Sequence, residues 1–208
     1  QYDQYPAASI AADVTVASIG SQVASADIGA SNVYAGAAFT FSEAANTRDV
    51  TNITITESGT VDAAADLSNI TLRYDLDQSS PYNCASESYS IGDSQFGSTV
   101  SGGFNTPNGT AAFSDAVTIS PTSTLCVYVT YDVDTTAQNG ETVELSITNP
   151  NTEVTVSGGG SVAPSSPVAL ASTTSLTGAI ITQVHYQWRN DDGNETVATS
   201  ATGGSEDT

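Results

Sequence analysis

The sequence predicts an all-β protein, an antiparallel β-sandwich followed by an extended terminal strand. Ala, Ser, Thr and Gly dominate, and Val, Ile, Thr and Tyr supply the bulk, a composition that suits strands and turns and serves helices poorly. Short stretches alternate apolar and polar residues with period two. Clusters of Gly, Pro, Asn and Ser separate them at intervals typical of sandwich strands. The 208 residues hold one large or two small domains, and 38% apolar residues makes for a thin core.

Residues 1–9 are polar, interrupted by Pro6, and read as an extended lead. The sandwich is expected over residues 10–175. Asp13 to Ile19 alternates, Val23 to Ile28 continues after the Gly20 break, and Ala37 to Phe41 follows a turn between Gly29 and Gly36. Val50 to Thr56 is the cleanest amphipathic strand. Ile70 to Leu76 is a second, its apolar face on Ile70, Leu72, Tyr74 and Leu76, and the two are expected to face one core. Between them, Val61 to Ser68 is the one place where a helical turn is allowed.

Residues 77–109 are rich in Ser, Gly, Asn and Pro, with Tyr82, Tyr89, Phe96 and Phe104 scattered through them. That is too long for a hairpin loop and reads as an insertion. Leu125 to Val133 is apolar or β-branched almost throughout, as expected at the centre of a sandwich. Glu141 to Ile147, Glu153 to Ser157 and Val168 to Leu170 complete the series, which by strand spacing is of immunoglobulin-like type.

Residues 176–208 form a terminal strand with an acidic tail. The strand Ile180 to Trp188 carries the only His (His185) and the only Trp, and the tail beyond Arg189 looks too polar to fold with it. A strand without a domain needs a partner, which would be an edge of its own body, a further module, or a neighbouring copy.

With 23 acidic residues, three arginines (Arg48, Arg73, Arg189) and no lysine, the formal charge is −20. Such a chain repels a phosphate backbone, so nucleic acid is excluded as a partner, and so is a polybasic membrane contact. No apolar run approaches the roughly 18 residues of a membrane span, so no membrane insertion is expected. The chain has no Met and opens on Gln1, from which we expect an exported, processed protein found outside the cell or on its surface.

In that setting Cys84 and Cys126, the only cysteines, are expected to form a disulfide. Closing the chain between them stabilises by roughly 3 to 4 kcal/mol in the chain-entropy model. Asn-X-Ser/Thr triplets stand at Asn52, Asn69, Asn108 and Asn194 as glycosylation candidates, Asn108 foremost because it lies in a turn.

An enzyme is not expected, since the lone His185 lies in the terminal strand and no nucleophile motif, phosphate loop or zinc ligand set is present. No cofactor is expected either, with Ca²⁺ as the alternative. Asp75 with Asp77, and Asp132 with Asp134, each place two carboxylates on one face of a strand end, and together with backbone carbonyls they would supply the oxygens that Ca²⁺ needs. The plain reading of the same residues is solvated strand ends. Asn190 to Glu195 has a similar acidic pattern.

The stretches Gly36 to Phe41, Thr54 to Thr60, Leu125 to Tyr128 and Tyr131 to Asp134 resemble immunoglobulin-like sandwich modules of large exported surface proteins of bacteria and archaea. His185 to Glu195 resembles the opening of another module type common in such proteins, one that many further strands normally follow. By architectural analogy with donor-strand filaments, we expect a structural subunit of an extracellular, pilus-like or sheath filament whose partner is itself. Ile180, Ile181, Val184, Tyr186 and Trp188 would be the strand given to the next subunit, with residues 7–19 as the other candidate donor. The alternative is a cell-surface adhesin or carbohydrate-binding module that shows Tyr82, Tyr89, Phe96 and Phe104 to glycans.

Overall fold

The computed structural model describes residues 12–178 and the backbone of two further strands, Gln183–Arg189 and Glu195–Ala201. The first half of the body comprises β1 (Val14–Gly20), β2 (Ser25–Asp27), β3 (Val33–Glu43), β4 (Arg48–Glu57), β5 (Leu67–Asp77), β6 (Ser94–Val100) and β7 (Thr110–Ile119). The second half comprises β8 (Thr124–Val133), β9 (Thr142–Val143), β10 (Leu145–Ile147), the one-turn helix α1 (Pro150–Glu153), β11 (Val154–Val156), β12 (Val162–Ala163), β13 (Val168–Ala169) and β14 (Thr174–Thr177). The strands Gln183–Arg189 and Glu195–Ala201 are β15 and β16.

One sheet runs β12-β1-β3-β8-β5-β6. In the other, β4 pairs with β7 along one edge, while β11 and β10 share its other edge and β13 follows β10. A small sheet, β2-β14-β9, completes the body. The two main sheets bury one apolar core between them, with Phe39, Phe41, Ile53, Ile55, Leu72, Phe96, Phe113 and Leu125 among its largest side chains. Val50 to Ile55 and Ile70 to Leu72 do face that one core, as expected from their alternation.

The fold is thus the all-β sandwich that the composition predicts, with two differences of detail. Most pairs are antiparallel, but β12 runs parallel to β1 and β14 parallel to β2. Both short strands pair with partners far back in the sequence, which frees them from hairpin geometry. Residues 61–68 do hold a single helical turn, in which the Asp62 carbonyl accepts Ala65 N–H (3.0 Å) and Asp66 N–H (2.7 Å) while Asp62 Oδ1 accepts the N–H groups of Ala64 and Ala65 (3.2 Å each). The second difference is a further one-turn helix, α1, which Pro150 opens and where the Glu153 carboxylate reaches back to the Asn149 N–H at 2.9 Å.

The corner between β3 and β4 is held by charge. Arg48 Nη2 donates to Asp13 Oδ1 at 2.8 Å, its Nε lies 3.2 Å from Glu43 Oε2, and its Nη1 donates to the Ser157 carbonyl at 3.1 Å. Gly160 lies beneath the guanidinium, where a Cβ would come within 2.8 Å of the Arg48 Cζ. Buried Glu43 also accepts the N–H groups of Ala45 and Asn46, so it is paired on one oxygen and hydrogen-bonded on the other, as a buried carboxylate must be.

Glu57, at the end of β4, is 0% exposed. Its Oε1 accepts the N–H groups of Gly59 (2.6 Å) and Glu144 (3.0 Å), but Oε2 is buried without a partner. Burial pushes its carboxyl up to about 7, against the two hydrogen bonds that favour the anion. Nearby Tyr131 is pushed up to about 12 by its own burial and by the Glu57 charge. A raised carboxyl stabilises the fold fully below its unfolded value of 4.5, and that stability is lost as pH rises through 7. We predict that Glu57→Gln, compared with the parent by urea unfolding, gains on the order of 2 kcal/mol between pH 4.5 and pH 8. A difference that does not change with pH would show that the folded protein holds this carboxyl no higher than the unfolded chain does.

Candidate functional site

Strand β8 alternates strictly, so Leu125, Val127, Val129, Tyr131 and Val133 enter the sandwich core and Cys126, Tyr128 and Thr130 turn to the outer face of the six-stranded sheet. In register across that face stand Ile19 of β1, Ala38 of β3, Tyr128 of β8, Arg73 of β5 and Gln95 of β6. One row along are Ala17, Thr40, Cys126 and Asp75. The loop of residues 78–93 lies on this face. It is the part of the expected insertion that remains loop, because the segment beyond it pairs with β5 as β6.

The loop is fastened at several points. Cys84 and Cys126 form the expected disulfide, 42 residues apart with Cα atoms 5.8 Å apart. Buried Asp77 accepts Ser79 N–H (2.9 Å), Cys84 N–H (2.8 Å) and Ser86 Oγ–H (3.4 Å), and these donors hold its carboxyl below the usual range against the effect of burial, the largest influence on it. Thr124 Oγ1 donates to the Tyr82 carbonyl at 2.5 Å, Arg73 Nη1 to the Asp93 carbonyl at 3.0 Å, and Asn32 Nδ2 to the Tyr89 Oη at 3.0 Å.

Beneath the loop three rings meet. Tyr89 stacks on Tyr34 with centroids 4.5 Å apart, and Tyr128 stands edge-on to both, at 5.8 Å from Tyr34 and 6.0 Å from Tyr89. The arrangement is one that ring quadrupoles favour. A cavity of about 390 Å³ opens beside them, walled also by Ile19, Cys84 and Glu87. Tyr128 is 2% exposed, and its hydroxyl has no hydrogen-bond partner at normal geometry.

The setting is negative. Burial first, then Asp93 and Glu87, raise the Asp75 carboxyl, and the nearby Tyr128 hydroxyl weakly opposes them. The Tyr128 hydroxyl is raised by burial and then by Asp75. Tyr34 is pushed up to about 12, chiefly by burial.

The proposed calcium pairs do not come together. Asp75 stands opposite Cys126 and Asp132 opposite Ser68, towards opposite ends of β8, because an antiparallel neighbour carries its C-terminal end to the start of β8. Their oxygens serve the fold. Asp132 accepts Asn32 N–H (2.6 Å) and Asn69 Nδ2–H (2.8 Å), and Asp134 accepts Thr136 N–H (3.1 Å). Among the described residues no group of three or more His, Cys, Asp or Glu is placed to hold a metal ion.

The four aromatic residues expected to face glycans separate. Tyr89 lines the cavity and Tyr82 is half-buried, but Phe96 and Phe104, at 0% and 2% exposure, belong to the core. Asn52 is half-buried within β4 and hydrogen-bonded to Thr54, Ser114 and the Glu153 carbonyl. Asn69 is exposed but tied to Asp132. Asn108 is exposed in its turn. Ile180, Ile181, Asn194 and the acidic turn at residues 190–194 lie outside the described residues.

No family model and no curated protein matches this chain. The site therefore stands on its own geometry. We predict that replacing both cysteines (Cys84→Ser with Cys126→Ser) lowers stability by roughly 3 to 4 kcal/mol and that residues 78–93 then exchange by local opening well below the global unfolding free energy, at which β4 and β7 exchange. Exchange of residues 78–93 at that same global free energy would show that the loop is part of the core.

Proposed function

We propose that the chain is a non-catalytic structural module of an exported extracellular assembly, a filament or sheath, and that it joins its neighbours by β-strand addition. The reading is carried by the terminal hairpin. β15 does not lack a partner, as its sequence suggests it would. It pairs antiparallel with β16 over seven residues, from Gln183 opposite Ala201 to Arg189 opposite Glu195. The hairpin belongs to a second compact unit, Gly178–Thr208, distinct from Gln1–Thr177.

A hairpin of two strands is marginally stable alone, and its outer edges offer unpaired N–H and C=O groups. Among the described residues no third strand pairs with either edge. A strand of a neighbouring copy is the natural complement, with main-chain hydrogen bonds supplying affinity and side-chain alternation supplying register. The donor is then a hairpin edge rather than the single strand Ile180 to Trp188. The disulfide and the −20 charge support an extracellular setting, and among the described residues no helix is long and apolar enough to cross a membrane. Asn108, exposed in a turn, is the position best suited to carry a glycan.

The tyrosine-lined cavity favours a second reading, a cell-surface binding module or adhesin. Electron microscopy separates the two. We expect the full chain to form regular fibres, and a chain ending at Thr177 to stay monomeric with an unchanged melting temperature. Monomers in both samples would discard the assembly reading and leave the binding module.

A further inference from the structure

We propose that the cavity beneath the loop of residues 78–93 binds a small organic cation, an ammonium or guanidinium group, held against Tyr34, Tyr89 and Tyr128 and neutralised by Glu87 and Asp75. The inference rests on the second reading, that the cavity takes a ligand, and is independent of the assembly proposal.

The rings argue for a cation first. Aromatic faces attract an ammonium or guanidinium group through the ring quadrupole, most strongly where water is partly excluded. Three tyrosines meet here within 6.0 Å of one another, in a recess walled by Ile19 and the Cys84 half of the disulfide. At about 390 Å³ the recess is at the lower end of the volumes that hold small ligands.

The charges argue for it independently. Glu87 lines the cavity, and Asp75 and Asp93 act with it on the Tyr128 hydroxyl. Arg73, beside Tyr128 in the strand ladder, gives its Nη1 to the Asp93 main-chain oxygen. The ion pairs found among the described residues belong to Arg48, at the far corner of β3 and β4. Among the described residues the carboxylates around the rings thus have no ion pair, in a chain with three arginines, no lysine and a charge of −20.

The third observation is the Tyr128 hydroxyl, buried on the wall of this cavity with the Asp75 carboxylate near it but with no hydrogen bond of normal geometry. Buried hydroxyls normally have such a bond, and the N–H of a primary ammonium or guanidinium ligand, or the O–H of choline, would supply a donor to its oxygen. A neutral sugar fits less well. It needs a broad ring face, and Tyr34 and Tyr89 each spend one face on the other; it would also leave the carboxylates unpaired.

The test is an NMR titration of the isotope-labelled full chain with choline, with its neutral isostere 3,3-dimethylbutan-1-ol, and with methyl glucoside. Choline is expected to shift the Tyr34, Tyr89 and Tyr128 resonances saturably with Kd on the order of 1 mM, at least tenfold more tightly than the alcohol. Glu87→Gln and Tyr89→Ala are each expected to weaken it at least fivefold. Glu87→Gln alters only the loop and keeps the test valid if Tyr89→Ala unfolds. Equal binding of the alcohol, or no effect of Glu87→Gln, would overturn the cation assignment. Methyl glucoside binding without choline would also overturn it while sparing the binding reading, and no saturable shift with any of the three would sink both.

Discussion

Strand β8 is paired on both edges, by β3 and β5, and shielded on both faces, so nearly the whole run from Thr124 to Val133 must be kept from water. The inner face is met by the second sheet of the sandwich. The outer face has no second sheet, yet Cys126 and Tyr128 are buried there. Leaving a Tyr and a half-cystine exposed on a sheet already satisfied in its hydrogen bonds would invite association. The loop of residues 78–93 covers that face, and its shape follows from the need.

A cover without regular structure contributes few backbone hydrogen bonds of its own, so it has to be fixed by other means. Here a disulfide, a buried carboxylate, a ring stack and side-chain hydrogen bonds from Thr124, Arg73 and Asn32 do so. Asp77 is the economical part. It sits at the end of β5 and collects the first N–H groups of the loop, turning the chain back across the sheet so that Cys84 reaches Cys126. Because the cover is pinned near Cys84 and again at Tyr89, it spans the sheet without filling it, and the cavity is the gap between cover and sheet.

Much of this could be read in the sequence. Period-two alternation located β1, β4 and β5, the continuous apolar run marked β8 as central, and the lone cysteine pair gave the disulfide. What escaped the reading has a physical cause in each case. Strand β7 carries an extra residue opposite Val50 to Asn52, which puts both Asp115 and Ala116 outside and breaks the period after Phe113. β6 is hidden because its pairing with β5 shifts register between Ile70 and Leu72. β12 and β14 are too short to show any period. For the site, Tyr89 stood out but Tyr34 and Tyr128 did not. Their meeting depends on the irregular pairing of β3 with β8 between Tyr34 and Ala38, where Gly36 takes φ +95° at a spot where a Cβ would come within 2.6 Å of the Val23 nitrogen. No local pattern announces such a contact. β16 was passed over because Thr and Ser fill positions where an apolar face was sought, yet its pairing with β15 is regular.

The two main sheets also meet at their edges. β6 and β7, edge strands of opposite sheets, lie so close that a Cβ at Gly97 would come within 2.9 Å of the Ser114 oxygen, and Gly97 N–H is bonded to the Asp115 carboxylate at 3.1 Å. On the other side, Ser18 Oγ donates across the gap to the Ala169 carbonyl at 2.8 Å, linking β1 to β13. Edges that face one another this closely give an incoming strand little room, which is one of the ways native sheets avoid unwanted pairing. The two sheets thus shield part of their own edges from each other. The acidic surface acts in the same sense. At −20, face-to-face approach of two bodies is opposed at low ionic strength and less so once salt screens the charge, whereas directional main-chain hydrogen bonds at a strand edge depend little on that field. Close contact at these edges and like charge on the faces both act against non-specific association of such bodies.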